Sequence, residues 1–250
     1  MKTVFINCSP SKRFSASSYF IFLERLFVSG EKVTETLRTK SDHERILQQL
    51  ENADAVVFAL PLYVDGVPSH VLRFMEVLEQ FCREKNLHFS IYCIANNGFI
   101  EGRQNEPLMQ VFENFCSRSS LKWGGGTGIG GGVMLNVTRI GFVVEIVLLL
   151  VNMLLSGFQT GNFFPQEVLV SFAENMLILM FLNSGVLLYL FQMGNAIRHG
   201  TFFGKKYTRI MLPSFVFIIF ADIFFFIISI IKGGIFRGWL ARKDADEAKS

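Results

Sequence analysis

Residues 7–20, NCSPSKRFSASSYF, place five serines and an adjacent Lys12–Arg13 pair between two patterned segments. The apolar run TVFIN (3–7) precedes the stretch, and SSYFIFLERLFV (17–28), with apolar residues at helical spacing, overlaps its end. Hydroxyls beside the unpaired N–H groups of a starting helix can surround a phosphate, and the helix dipole favours the anion. Lys12 and Arg13 would add a positive field. In PLYVDGVPS (61–69), Tyr63 presents a flat aromatic face between prolines that stiffen the loop. In ANNGFIEG (95–102), Asn96, Asn97 and Gly98 supply donors, acceptors and a close backbone approach. Together the three loops suit a ligand with a phosphate tail and a planar ring. Taken singly, each has a plainer reading: a helix cap, a packing tyrosine, a turn. Their recurrence at the ends of successive strand-helix units is the stronger observation.

The elements that would position these loops alternate. TVFIN, KVTETLR (32–38), DAVVFAL (54–60), FSIYCIA (89–95) and a short run near LKWGGG (121–126) read as strands. Segments 17–28, 41–52, 67–85 and 106–119 read as helices, the second opening on a Ser/Asp cap signal. Buried strands alternating with helices predict an α/β fold, a parallel sheet covered on both faces. In such sheets ligands bind beyond the carboxyl ends of the strands. All three loops fall at that edge.

Charge and cysteine content narrow the classes. Residues 1–135 hold fourteen Lys/Arg and fourteen Asp/Glu, so the net charge of +3 comes from the remainder. No basic face interleaved with aromatics marks the first half, so nucleic-acid binding is not expected. Cys8, Cys82, Cys93 and Cys116 show no CxxC spacing and read as buried or free thiols in a reducing compartment. No metal site is expected. No secretory signal pattern opens the chain, so the first half is expected in the cytosol. A tyrosine-phosphatase loop, with five residues between a nucleophilic Cys and an Arg, does not fit, because only four separate Cys8 from Arg13.

SPSKRFSAS between strand and helix, ADAVVFALPLYVDGVPSHVLRFME, NNGF with Glu101, and GGGTGIGGG carry a family resemblance over about residues 1–132. This part resembles the flavodoxin-like NAD(P)H-dependent FMN reductases and quinone reductases. The resemblance implies a flavodoxin-like, five-stranded parallel sheet, FMN as cofactor and NAD(P)H as electron donor. It implies that Ser9, Ser15, Ala16 and Ser17 contact the FMN phosphate, with Ser11 in the same loop. Ser11 and Ala16 stand where Arg and Asn are frequent. Pro61, Leu62 and Tyr63 would line the flavin ring, and Asn97, Gly98 and Phe99 would close its other side. Such enzymes are commonly homodimers. No catalytic acid or base is required; His70 and Glu101 lie near the loops, where such residues are usually solvated.

After the glycines the pattern becomes apolar. Segments 140–157, 172–194 and 210–231 each approach the roughly 20 residues that span a bilayer. The first has a polar stripe, Thr138, Glu145 and Asn152, and reads either as a span or as a covering helix at the membrane surface. Residues 158–171 lack Lys and Arg and should face away from the cytoplasm, leaving Arg139, Arg198, Lys205, Lys206 and Arg209 on the cytoplasmic side. Cations of the tail and Trp239 leave the side of the C-terminus open. Asn183 and Asp222 fall near mid-span, as bundle-holding polar groups or as functional ones.

The expected organisation is a domain over 1–135, an all-α transmembrane region over 136–232, and a polar tail over 233–250. The expected function is a multi-pass membrane-anchored FMN-dependent NAD(P)H oxidoreductase. Its acceptor would be a quinone or another small molecule, and its partner the lipid bilayer. The alternative is a flavodoxin-like electron carrier or flavin-sensing module that docks a membrane partner.

Overall fold

Six consecutive residues of strand β3 (Ala55–Pro61), from Ala55 to Leu60, are buried, as a strand covered on both faces must be. β1 (Lys2–Asn7) and β4 (Ser90–Asn96) flank β3 and are equally apolar. The computed structural model describes residues 1–11, 15–63 and 66–231. β2 (Glu31–Thr36) pairs outside β1, and β5 (Lys122–Ile129) outside β4. All are parallel, and their order β2-β1-β3-β4-β5 is that of the flavodoxin-like doubly wound fold.

The expected count of five strands is corrected to six. β6 (Gly204–Thr208), GKKYT, pairs in parallel beside β5. Its two lysines read as a charged connection, yet they anchor an edge strand. Lys205 Nζ lies 3.0 Å from Glu106 Oε1 and 3.0 Å from Glu113 Oε2. The Tyr207 hydroxyl donates to Glu106, which holds that carboxyl below its usual range with help from Lys205. Charged side chains are what a solvent-facing edge tolerates.

On one sheet face, Val4, Ile6, Val56, Phe58 and Cys93 pack with buried residues of α2 (His43–Leu50), α3 (Ser69–Lys85) and α4 (Glu106–Arg118). The other face is covered by α1 (Ala16–Phe27) and α7 (Ser184–His199). α7 buries Val186, Leu190, Met193 and Ile197, a one-sided stripe at helical spacing. A Cβ on Gly194 would stand 2.6 Å from Phe27 Cβ, so the two helices meet there as closely as glycine allows. The glycines of β5 have a related cause. A Cβ on Gly124 would sit 2.5 Å from the Tyr92 ring, and the Tyr92 hydroxyl donates to Thr201 O at 2.9 Å.

Between β5 and α7 the chain makes a helical hairpin from α5 (Gly132–Thr160) and α6 (Gln166–Leu182). The segment expected to span over 172–194 is broken. α6 and α7 meet at 66° around Asn183, and α7 belongs to the sheet layer. The cause is local. Asn183, Ser184 and Gly185 interrupt the apolar run, and Asn183 Nδ2 donates back to Leu179 O at 2.8 Å. Along the hairpin the polar stripe of α5 faces α6. Thr138 Oγ1 donates to Asn183 Oδ1 at 3.4 Å, and Asn175 Nδ2 donates to Glu145 Oε2 at 3.1 Å.

Among the described residues one helix segment, Thr138–Thr160, is long and apolar enough to cross a membrane, and the bent pair α6–α7 passes the same test together. A separate unit starts at Leu212 and contains α8 (Ser214–Ile231), an almost wholly apolar helix. The expected polar tail, with Trp239 and its cations, lies outside the described residues.

Candidate functional site

The carboxyl ends of β1, β3 and β4 carry the three loops singled out above, and hydrogen bonds tie them together. Leu62 N donates to Asn96 O at 2.7 Å, joining the loop after β3 to the end of β4. The Ser17 hydroxyl donates to Asn96 Oδ1 at 3.2 Å, joining the start of α1 to the same residue. Cys8 N donates to Ala59 O, and His70 Nε2 lies 3.0 Å from Cys8 O. Asn96 is thus the common node, and three loops distant in sequence become one surface.

The serines divide by role. Ser15 is the N-cap of α1: its Oγ accepts from Ser18 N at 3.2 Å, and Ser15 N donates to Ser18 Oγ at 3.0 Å. That satisfies two groups that the helix cannot. Ser17 is buried, and its hydroxyl is engaged by Asn96. Ser9 is buried, its N–H bound to Asn7 Oδ1 at 3.1 Å, whereas Ser11 is exposed. An anion at this loop would therefore meet backbone amides of the first turn, at Ala16 and Ser17, more than a ring of free hydroxyls. First-turn amides have no helical carbonyl to accept them. Lys12 and Arg13 lie outside the described residues. Arg38, which sequence reading passed over, donates to Ser11 O at 2.7 Å and Ser9 O at 3.3 Å, holding the loop and bringing a cation beside it.

Around the expected ring position, Tyr63 is 49 % exposed and Phe99 58 % exposed, so both rings present free faces. Leu62 and Pro61 are half-buried. Tyr63 and Gly66 exchange backbone hydrogen bonds, and residues 64 and 65 lie outside the described residues. A Cβ on Gly98 would meet nothing within 4 Å, so this backbone faces open space. Asn97 turns inward instead: Nδ2 donates to Glu101 O at 3.0 Å, and Oδ1 is buried with no partner among the described residues.

The thiols take no part. Cys8 is fully buried, and burial alone pushes its thiol far above the ordinary range, which leaves a neutral sulfur at neutral pH. Cys82 and Cys116 are pushed up to about 11 and about 12, burial being the main cause. No cluster of three metal-ligating side chains occurs among the described residues. His70 is committed to Cys8 O, and the Glu101 side chain is exposed.

A concavity of about 260 Å³ lies along the hairpin seam, with Glu145, Asn152, Glu167, Ser171 and Asn175 among its lining.

No protein-family model matches the sequence, and no curated protein matches it. Solved structures do resemble it. The Trp repressor binding protein from Bacillus subtilis is 17% identical, matches 55% of this chain and 94% of its own, and has a TM-score of 0.46. An NADPH-quinone reductase from P. pentosaceus is 17% identical over 50% of this chain and 83% of its own, with a TM-score of 0.43. An FMN-dependent NADH-azoreductase from Bacillus anthracis, in complex with FMN, is 15% identical over 49% of this chain and 83% of its own, with a TM-score of 0.35.

Proposed function

We propose that the chain is an FMN-dependent NAD(P)H oxidoreductase anchored in a membrane by its apolar helices, with the α/β body in the cytoplasm. The carrying observation is the union of three loops at the carboxyl edge of the sheet through Asn96, with two exposed aromatic rings and an open glycine beside a capped helix start. That set fits a phosphate-bearing planar ring. The amides of Ala16 and Ser17 would take the phosphate at the positive end of α1. Ser15, by capping, keeps that helix start ordered, and Arg38 holds the backbone of Ser9 and Ser11 while adding positive charge.

Tyr63 and Phe99 would hold the ring and exclude water from it, Pro61 and Leu62 forming the floor. Gly98 would let its backbone approach, with Asn97 keeping the turn in place through Glu101 O. When bound, FMN supplies hydride acceptance from a nicotinamide and onward delivery of electrons, and the protein supplies position and electrostatics. The acceptor would be a quinone or another small oxidant, and the functional unit a homodimer.

Absorbance of the detergent-purified protein tests the reading: flavin bands, present as isolated or after adding FMN, with rapid oxidation of NADH or NADPH. Their absence under both conditions sinks it. Flavin bands without nicotinamide oxidation would favour an electron carrier served by a separate reductase.

A further inference from the structure

We infer that the carboxyl edge of the sheet, the edge that carries the candidate site, is the one that faces the lipid bilayer, with the α5–α6 hairpin inserted through it. The inference rests on the membrane half of the function proposed above and adds an orientation to it.

Connections between the α/β body and the apolar segments converge on this edge. α5 starts against the Asn97–Phe99 loop, where Gly132 N donates to Asn97 O at 2.8 Å and Gly131 N to Phe99 O. The end of α6 returns to the same place, since Met211 N donates to Leu182 O at 2.9 Å. The strand leading to α8 finishes there too: Thr208 O accepts from Gly130 N at 2.9 Å, and the chain leaves the body at Met211.

The hairpin has the dimensions and surface of a membrane element. From Thr138 to Thr160 it holds 23 residues with mean hydropathy 2.3, and 6% of its most apolar window is buried. At helical rise that is about 35 Å, against a hydrocarbon core of about 30 Å. The contacts of Thr138 with Asn183 and Glu145 with Asn175 put α5 and α6 in antiparallel register, with residues 161–165 at the far tip. Polar side chains gather along the seam, Glu167 and Glu174 of α6 stay exposed, and the rest of the outward surface is largely apolar, a surface that water does not support. No Lys or Arg occurs from Ile140 to Ile197, which leaves the inserted part free of cations, while Arg139 marks its base. The exposed rings of Phe158, Phe163 and Phe164 gather at the tip. The occupant is therefore lipid: hydrocarbon along the hairpin and head groups at the body's edge, with the Tyr63 and Phe99 loops at the lipid–water boundary.

The test uses the full chain in sealed liposomes and needs no flavin. Vesicle flotation and resistance to alkaline extraction report anchoring. A fluorophore at Gly98→Cys, on the carboxyl edge, is compared with one at Glu51→Cys, near the opposite edge about 20 Å away, a strand's length. Quencher-labelled lipid head groups should dim the first severalfold more than the second. A membrane-impermeant maleimide should label Asn162→Cys only from the side opposite the body, the unsubstituted chain giving the background of the four native thiols. Equal quenching at 98 and 51, or labelling of residue 162 from the body's side, overturns the orientation while flotation upholds the anchor. Failure to float overturns both, and the absorbance test of the flavin reading stands apart from either result.

Discussion

Glu24 is the most anomalous single residue in the body. It lies on the face of α1 that buries Ser17, Phe20 and Ile21, is fully buried, and neither carboxylate oxygen has a partner among the described residues. Burial raises its pKa well above 4.5, so the neutral acid is the stable form in the folded protein. The sign follows from linkage: the unfolded chain releases this proton more readily, so stability falls as pH rises from the ordinary glutamate value through the raised folded one. Glu24→Gln should therefore flatten the loss of melting temperature on moving from pH 5 to pH 8, while changing little at the acid end. A mutant whose profile parallels the parent's would show that Glu24 is not the group responsible. At the candidate site, Tyr63→Ala should weaken FMN binding about two- to twelvefold, the worth of one aromatic contact at about 0.5–1.5 kcal/mol, with no loss of melting temperature because the ring is half exposed. Fluorescence titration with FMN, alongside thermal melts, measures both.

At the scale of elements, strand β5 shows why a strand can be rich in glycine. Gly124 is bare because the Tyr92 ring lies against it. Gly124→Val should cost about 1–3 kcal/mol, as overpacking a filled core does, read as a lower denaturant midpoint. An unchanged midpoint would mean that the ring has another place to go. The alternation of strands and helices was legible because buried strands and amphipathic helices leave different periods in sequence. Three features were not. β6 carries Lys205 and Lys206, whose partners Glu106, Glu113 and Gln192 are distant in sequence, so its pattern is that of a charged loop. The break at Asn183 hides inside an apolar run, and only Gln192 and Asn195 on α7 hint that its second half has a wet side. The node at Asn96 needed three loops to meet, and Arg38 acts through backbone carbonyls, which leave no signature. Two of the hydroxyls expected at a phosphate, those of Ser15 and Ser17, are engaged by the protein's own groups, which serine spacing alone does not reveal.

For the whole molecule, residues on both sides of position 135, from Met1 to Met211, belong to one compact unit. A chain ending at position 135 loses α7 and β6, strips Tyr92 of its acceptors at Ala196 and Thr201, and uncovers the α1 face around Phe27. It should aggregate on expression. Because Thr138 and Asn183 are hydrogen-bonded neighbours, residues 139–182 can instead be replaced by a short Gly/Ser linker in a chain that stops at Met211. That version should be soluble and unfold cooperatively by circular dichroism. Similar solubility of the two would mean that α7 and β6 add nothing to the body.

The insertion between neighbouring strands also sets a timetable. β5 and β6 touch along their length, but a ribosome releases β6 only after the whole of α5, α6 and α7 has emerged. Until then the nascent sheet has a raw edge at β5 and an uncovered Tyr92. The apolar hairpin must therefore be made before the sheet of the body can be finished. Sheet closure thus waits on the synthesis of the whole hairpin, a built-in order in which the apolar insertion precedes the finished sheet.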